Sequence, residues 1–286
     1  MKNATAEHAV PRTQRYARVL SIAGSDSGGG AGIQADLKAI SALGCYGMTA
    51  ITALTAQNTL GVRAIHAVPL EMLRAQIEAV VEDIGTDAVK IGMLHSAETV
   101  HTVAAALDRH ALRKVVLDPV MVATSGARLI DEEAVAVLVR ELFPRAALVT
   151  PNLDEAALLV GRPLESEDDM EAAARQLVEM GANAALVKGG HLSGNTVCDV
   201  LLQRGQAAQF LRSPRIATSN THGTGCTLSS AIAAHLALGH SLPEAVQRAR
   251  EYVRGALAAG AAVRTGSGSG PLNHAWQPHT MRTVAL

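Results

Sequence analysis

The stretch RVLSIAGSDSGGGAGIQADLKAISALG, Arg18 to Gly44, sets the architecture. Its opening, Arg18 to Gly24, is an apolar run with the length of a buried strand. A glycine-rich turn follows. Ile33, Leu37, Ile40 and Leu43 then recur at helical spacing, and Gly44 supplies a C-terminal cap signal. A strand that turns directly into an amphipathic helix is the opening of a strand–helix–strand unit, the building block of a parallel sheet.

The alternation continues outward from that unit. Leu73, Ile77, Val80, Val81 and Ile84 share one face of a second helix. DAVKIGM reads as a strand, 96–109 as a helix, KVVLDPV as a strand, 131–142 as a helix and AALVT as a strand. PNLDEAALLVG opens another helix, 168–180 forms one more, and NAALVKGG is a strand. VCDVLLQR and QAAQFLR, split by Gly205, predict a hairpin, and helices are expected over 224–238 and 243–262. Nearly unbroken apolar strands between such helices predict an α/β chain with a mostly parallel sheet covered on both faces. No break in composition and no fixed-period repeat marks a second unit. We therefore expect one domain over 18–275, a disordered N-terminal tail over 1–17 and a C-terminal tail over 276–286. TGSGSGP, Thr265 to Pro271, is either a flexible linker to that tail or a loop bordering a ligand.

Composition narrows the function classes. Of 286 residues, 48% are apolar and 18% charged, ample for a folded core. The net charge of −1 carries no electrostatic footprint for nucleic acid or an anionic membrane. With 2% aromatic residues, base-stacking platforms are not expected. No apolar run reaches the roughly 18 residues of a transmembrane helix, and the first 17 residues lack the apolar stretch of a secretory signal. Cys45, Cys198 and Cys226 are odd in number and form no CxxC pair, which fits a reducing cytoplasm rather than a disulfide or zinc scaffold.

Common catalytic motifs are excluded. In the glycine-rich turn, Ile33 stands where a dinucleotide fingerprint needs its third glycine, and no Gly-Lys dipeptide exists for a Walker A loop. Neither HExxH nor GxSxG occurs. What remains is NTHGTGCTLSSA, Asn220 to Ala231. Gly223, Thr224 and Gly225 precede an apolar helix, so free backbone N–H groups gather at a positive helix end, which binds anions. Cys226 falls in the first turn, where the dipole is expected to lower its thiol pKa. A tight turn with a small buried cysteine explains the same residues.

Asp118, Asn152, Glu155 and Lys188 each follow a strand, as do the glycine-rich turn and Met93. Singly, Asn152 is an N-cap, Glu155 a capping-box partner and Asp118 a turn former. Together they project to the carboxyl edge of one parallel sheet, where ligands bind. Carboxylates beside an anion site also suit Mg²⁺ holding nucleotide phosphates. Gln57, in TALTAQNT, offers an amide able to read a heterocycle edge, or is simply a polar loop residue.

Taken in order, AGSDSGGGAGIQADLK, TALTAQNT, VKIGML, VVLDPVM, TPNLDEA, VKGGH and NTHGTGCTLS resemble the bacterial hydroxymethylpyrimidine/phosphomethylpyrimidine kinases of thiamine biosynthesis, within the ribokinase-like superfamily. The resemblance runs from about Val19 to His274. It implies a ribokinase-like α/β/α sandwich, commonly a homodimer, that uses ATP and Mg²⁺. It implies phosphorylation of 4-amino-5-hydroxymethyl-2-methylpyrimidine and then of its monophosphate. It further implies that Gln57 hydrogen-bonds the pyrimidine, with Gly24, Ala31, Asp36, Met93, Val120 and Cys226 around the same pocket. Gly223, Thr224 and Gly225 match the anion hole, Asp118 and Glu155 the metal region, and Asn152, Glu155 and Lys188 the ATP phosphates. No thiamine-phosphate synthase extension is expected.

Most sugar and nucleoside kinases of the superfamily end this motif in Asp; here it ends in Cys226. A thiolate there can take the proton of the hydroxymethyl group in the first transfer, whereas the phosphate nucleophile of the second needs no base. After VVLDPVM, many relatives carry a lysine, or a Cys-Lys pair, in a loop that closes over the phosphates; here Thr124 stands near that place, and either Arg128 substitutes or nothing does. The rival readings are a pyridoxal/pyridoxine kinase and a non-catalytic ligand-binding module. Retention of Asp118, Asn152, Glu155 and the whole GTGC turn argues against the latter.

Overall fold

The computed structural model describes residues 13–121, 129–190, 192 and 194–286. Thr124 and Arg128, the lid positions, lie outside them. In chain order the elements are β1 (Gln14–Tyr16), β2 (Arg18–Asp26), α1 (Gly32–Ala42), β3 (Tyr46–Asn58), β4 (Gly61–Ala67), α2 (Leu70–Asp83) and β5 (Ala88–Ile91). Next come α3 (Ala97–Arg109), β6 (Val115–Leu117), α4 (Glu132–Leu142), β7 (Leu148–Val149), α5 (Leu153–Val160) and α6 (Glu167–Glu179). The rest are β8 (Ala184–Val187), β9 (Thr196–Gln203), β10 (Gln209–Pro214), α7 (Thr224–Ala237), α8 (Leu242–Gly260) and β11 (Thr283–Ala285).

Nine strands form one sheet in the order β10-β9-β8-β7-β6-β5-β2-β3-β4. The run from β3 through β2 and β5 to β8 is parallel, and β4, β9 and β10 are antiparallel additions. The predicted β9–β10 hairpin is present. The β3–β4 pair was not foreseen. Strand order reverses at β2, flanked by β3 and β5, so the switch point lies where the glycine-rich turn leaves the sheet.

Successive strand residues face opposite layers. Leu20 and Ile22 join a core with Leu73, Val103, Leu138 and Leu177, under α2 to α6. Val19 joins another with Ile40, Ile232 and Val253, under α1, α7 and α8. This is the expected α/β/α sandwich. The capping box read for Asn152 and Glu155 forms on α5; Ser96 caps α3, and Gly161 ends α5 in the left-handed conformation.

The expected tails need correction from Gln14 onward and at the C-terminal end; residues 1–12 lie outside the described residues. Gln14–Tyr16 pairs antiparallel with Thr283–Ala285, tying both flanks to the domain. Asp87 anchors this small sheet by accepting from Arg15 at 2.6 Å and from Arg18, and Tyr16 stacks on Tyr46. Thr265–Pro271 is likewise no free linker. Gly268 donates to Thr59 Oγ1 at 3.2 Å, and His222 donates its backbone N–H to Gly270 O at 3.1 Å.

Candidate active site

Strand alternation aims a set of polar side chains at one helix end. Ala88 and Lys90 share a face of β5, and Val116 and Asp118 share the corresponding face of β6. Leu148 with Thr150, and Leu186 with Lys188, repeat the pattern on β7 and β8. Ala88, Val116, Leu148 and Leu186 all belong to the core under α7. Lys90, Asp118, Thr150 and Lys188, two residues on, therefore meet the N-terminus of α7 at the carboxyl edge of the sheet.

That N-terminus is built for an anion. Gly223 at the N-cap has φ +81°, and no side chain caps the helix, nor is any first-turn residue acidic. A Cβ on Gly223 would lie 1.8 Å from Gly30 O, so glycine alone permits this contact between the GTGC turn and the glycine-rich turn. Thr224 N–H is donated to Thr221 O at 3.2 Å, so the later N–H groups of the first turn and the helix dipole are what the helix end offers an anion.

The cavity has a volume of about 650 Å³. Gly24, Ala31, Gln57, Met93 and Val120 line one end, beside His222. Gly223, Thr224, Gly225 and Cys226 line the middle with Asp118 and Lys188. Asn152, Glu155, Gly190, Asp199 and Leu257 extend the other end. The structure thus brings together every residue expected at the site except one.

The exception is Asp36, expected against the ring. It is wholly buried behind the cavity wall. It accepts from Ser21 Oγ at 2.6 Å, Ser230 Oγ at 2.6 Å and Lys90 Nζ at 2.8 Å. Asp36 lies on the apolar face of α1 with Ile33 and Ile40, and a carboxylate so placed is buried only with partners. It pins α1 to α7 and to β5 rather than touching a ligand.

Charges in the middle of the cavity are interlocked. Lys188 Nζ is 2.8 Å from Asp118 Oδ1, which also accepts from Thr150 Oγ1 at 2.9 Å. Burial opposes both charges, but Lys188 and Lys90 hold Asp118 below the usual carboxylate range, and Asp118 and Glu155 hold Lys188 above the usual lysine value. Glu155 is pushed up to about 7, chiefly by burial. Its Oε2 accepts the N–H of Asn152 at 2.8 Å. The capping role and the site role therefore coexist in one residue.

Cys226 departs from expectation. Enclosure by protein pushes its thiol up to about 11; Lys90 works against this, and Asp36 and Asp118 add to it. Desolvation outweighs the helix dipole, so the thiol is protonated at neutral pH.

Sequence reasoning missed five residues. Lys90 stands inside an apolar strand, a position that itself signals a paired charge. Asp26 and His222 meet at 3.0 Å across 196 positions. Arg250 Nε donates to Asp199 Oδ2 at 2.8 Å while Asp199 Oδ1 accepts Gly189 N–H at 2.9 Å, fixing the loop at the far end of the cavity.

A ligand cavity at the switch point, divided by an uncapped helix end and a lysine–carboxylate pair, is the arrangement of a small-molecule phosphotransferase on a ribokinase-like fold. The profile of the phosphomethylpyrimidine kinase family matches residues 26–273. The chain belongs to that family. It is 52% identical over 256 residues to the hydroxymethylpyrimidine/phosphomethylpyrimidine kinase of Rhizobium meliloti, covering 89% of this chain and 96% of that protein. It is also 52% identical over 256 residues to the thiamine biosynthesis bifunctional protein of Geobacter sulfurreducens, covering 90% of this chain but 52%, about half, of that protein. Among solved structures, an ADP complex of Bacillus subtilis pyridoxal kinase superimposes with a TM-score of 0.82 at 37% identity, over 90% of this chain and 96% of that one. Among the described residues, no helix is long and apolar enough to cross a membrane.

Proposed function

We propose that this chain transfers the γ-phosphoryl group of ATP to the hydroxymethyl oxygen of 4-amino-5-hydroxymethyl-2-methylpyrimidine, and then a second one to the resulting monophosphate, giving the diphosphate for thiamine biosynthesis. The observation that carries the reading is the α7 N-terminus lining one cavity together with Gln57 and Met93 and with Asn152, Glu155 and Lys188. In each transfer an oxygen bonds to the γ-phosphorus, the bond to ADP breaks and ADP leaves. Gly223, Thr224 and Gly225 hold the equatorial oxygens of the passing phosphoryl group. Gln57 reads the ring edge, with Gly24, Ala31, Met93 and Val120 around it. Asn152, Glu155 and Lys188 serve the ATP phosphates.

Asp118 and Glu155 would hold the Mg²⁺ that accompanies ATP, which would offset the charge of the phosphates. Among the described residues no three His, Cys, Asp or Glu side chains converge on a metal position. In the first transfer the hydroxymethyl proton goes to the sulfur of Cys226 in the minor fraction of molecules whose thiol is ionised; in the second the attacking phosphate oxygen is already ionised. The reading includes a single catalytic domain over 18–275, a homodimer and a cytoplasmic location.

A pyridoxal/pyridoxine kinase is the second reading, favoured by the fit to the Bacillus subtilis pyridoxal kinase. One incubation with ATP and Mg²⁺, both rings competing, is read by mass spectrometry. Pyrimidine monophosphate followed by diphosphate supports the first reading. Pyridoxine phosphate alone moves the chain to the second.

A further inference from the structure

One buried cluster stands behind the ring end of the cavity and takes no part in the transfer. Asp26, at the carboxyl end of β2, is 3% exposed. Its Oδ1 accepts Gly28 N–H at 2.8 Å, and its Oδ2 accepts Gly30 N–H at 3.0 Å and Ala31 N–H at 2.8 Å. His222 Nε2 lies 3.0 Å from the same Oδ2. Burial disfavours the carboxylate, but the hydrogen bonds from His222, Ala31 and Gly28 outweigh it and hold Asp26 below the usual range. An ionised carboxylate only accepts, so the hydrogen between the two residues belongs to His222 Nε2.

The consequence passes to Gln57. Its amide nitrogen lies 3.4 Å from His222 Nε2 and its amide oxygen 3.1 Å from Thr55 Oγ1. Thr55 Oγ1 is 2.9 Å from the Ser25 carbonyl, which only accepts, so the one hydroxyl proton of Thr55 is committed there. A donor thus faces a donor, and an acceptor faces an acceptor. Half a turn about the last side-chain torsion of Gln57 turns its N–H toward Thr55 Oγ1 and its oxygen toward the His222 Nε2–H, which Gln57 then shares with Asp26.

We propose that His222, held by Asp26, is a positioning residue that fixes the Gln57 amide with its oxygen toward His222 and its nitrogen toward Thr55, and so sets which ring edge the pocket accepts. The inference rests on the ring-kinase reading above. The amide then offers a ligand one N–H on the Thr55 side and one lone pair on the His222 side. An aminopyrimidine presents the complement, a ring nitrogen beside an exocyclic amine. A hydroxypyridine, with no amine next to its ring nitrogen, makes one contact of the two.

Steady-state kinetics of the full chain with saturating ATP and Mg²⁺, on the hydroxymethylpyrimidine and on pyridoxine, test this. His222→Phe removes the Nε2 donor, Thr55→Val removes the other anchor, and His222→Gln keeps an N–H near the original place. Loss of one anchor is expected to raise the pyrimidine KM about tenfold, with kcat changed less than about threefold. The preference for pyrimidine over pyridoxine narrows by the same factor, and His222→Gln recovers most of the KM. An equal loss on both rings, a loss confined to kcat, or an unchanged pyrimidine KM overturns the proposal. Should His222→Phe not fold, Thr55→Val and His222→Gln decide it. Failure of the kinase reading shows in the unmutated chain, as absence of any ring phosphate. Calorimetric Kd values for the same rings and variants then replace KM as the deciding readout.

Discussion

Lys90 Nζ sits 3.0 and 2.8 Å from the two carboxylate oxygens of Asp36, with both side chains wholly buried between the sheet and the α1–α7 pair. Burial alone would neutralise the lysine, but Asp36 and Asp118 hold it charged. Lys90→Met strands Asp36 without a counter-charge, and a stability loss of about 3–5 kcal/mol is expected in urea unfolding. Lys90→Met combined with Asp36→Asn recovers most of that loss, since Ser21 and Ser230 still bond the amide. A single-variant loss under about 1 kcal/mol would show that the pair is not structural.

Cys226 yields a prediction about two reactions and their pH dependence. With a thiol near 11, thiolate is a minor species at pH 7 and increases about tenfold per pH unit below that value. Proton removal by the thiolate therefore makes the first transfer accelerate from pH 7 to 9. The second transfer, which needs no base, stays level. Cys226→Ala is expected to slow the first transfer about 10²-fold, flatten its pH profile and leave the second within about threefold. Single-turnover rates check this, and equal losses in both steps contradict it.

Two glycines two residues apart, Gly223 and Gly225, separate folding from turnover. Gly223→Ala puts a methyl 1.8 Å from Gly30 O at a left-handed φ, so more than about 2 kcal/mol of stability is expected to go, along with activity. Gly225 is helical, and alanine there favours the helix. Its methyl would lie 3.0 Å from Lys188 Nζ and 3.5 Å from Asp118 Oδ2, inside the cavity. Gly225→Ala should melt at or above the parent temperature yet turn over about 10- to 100-fold more slowly. Thermal melts and kcat, measured on both, decide it.

Acid sensitivity has an assigned source. Burial lowers His235 to about 4, with His240 adding repulsion, and burial lowers His274 to about 4. His235 Nδ1 has no hydrogen-bond partner. Both rings are neutral when folded, so their contribution is complete above about pH 6.5 and is lost as pH falls toward 4. Glu155, raised to about 7, changes in the opposite sense over the same window, so a difference measurement is needed. Stability of His235→Leu relative to the parent is expected to improve by about 1–2 kcal/mol between pH 8 and pH 5. A difference independent of pH would show that His235 is not buried neutral.

The strands and helices were legible because their periods are local. Each of the parallel strands carries its apolar run, and each helix its face and cap. The β3–β4 pair was harder to read. β4 is an edge strand with mixed exposure along GVRAIHA, and the turn before it carries no Asn-Gly signal. β1 and β11 are three-residue strands at opposite ends of the chain, where no local pattern exists. The site followed the same rule. Residues at strand ends were placed by the edge argument. Asp36, Lys90, Asp26 and His222 were misplaced or missed, since alternation gives the face a side chain takes but not the distant partner it finds there.

The clasp between β1 and β11 lies at the amino ends of the parallel strands, opposite the cavity. Leu286 N–H donates to Thr13 O at 3.2 Å, and Arg282 N–H to Gly44 O at 2.7 Å. A tether, tag or fused domain attached at either flank thus leaves from the underside and does not obstruct ligand traffic. The same proximity makes the topology circular in practice. A short glycine bridge from Leu286 to Thr13, with the backbone reopened at the exposed Gly205 turn, yields a permuted chain that breaks none of the strand pairings.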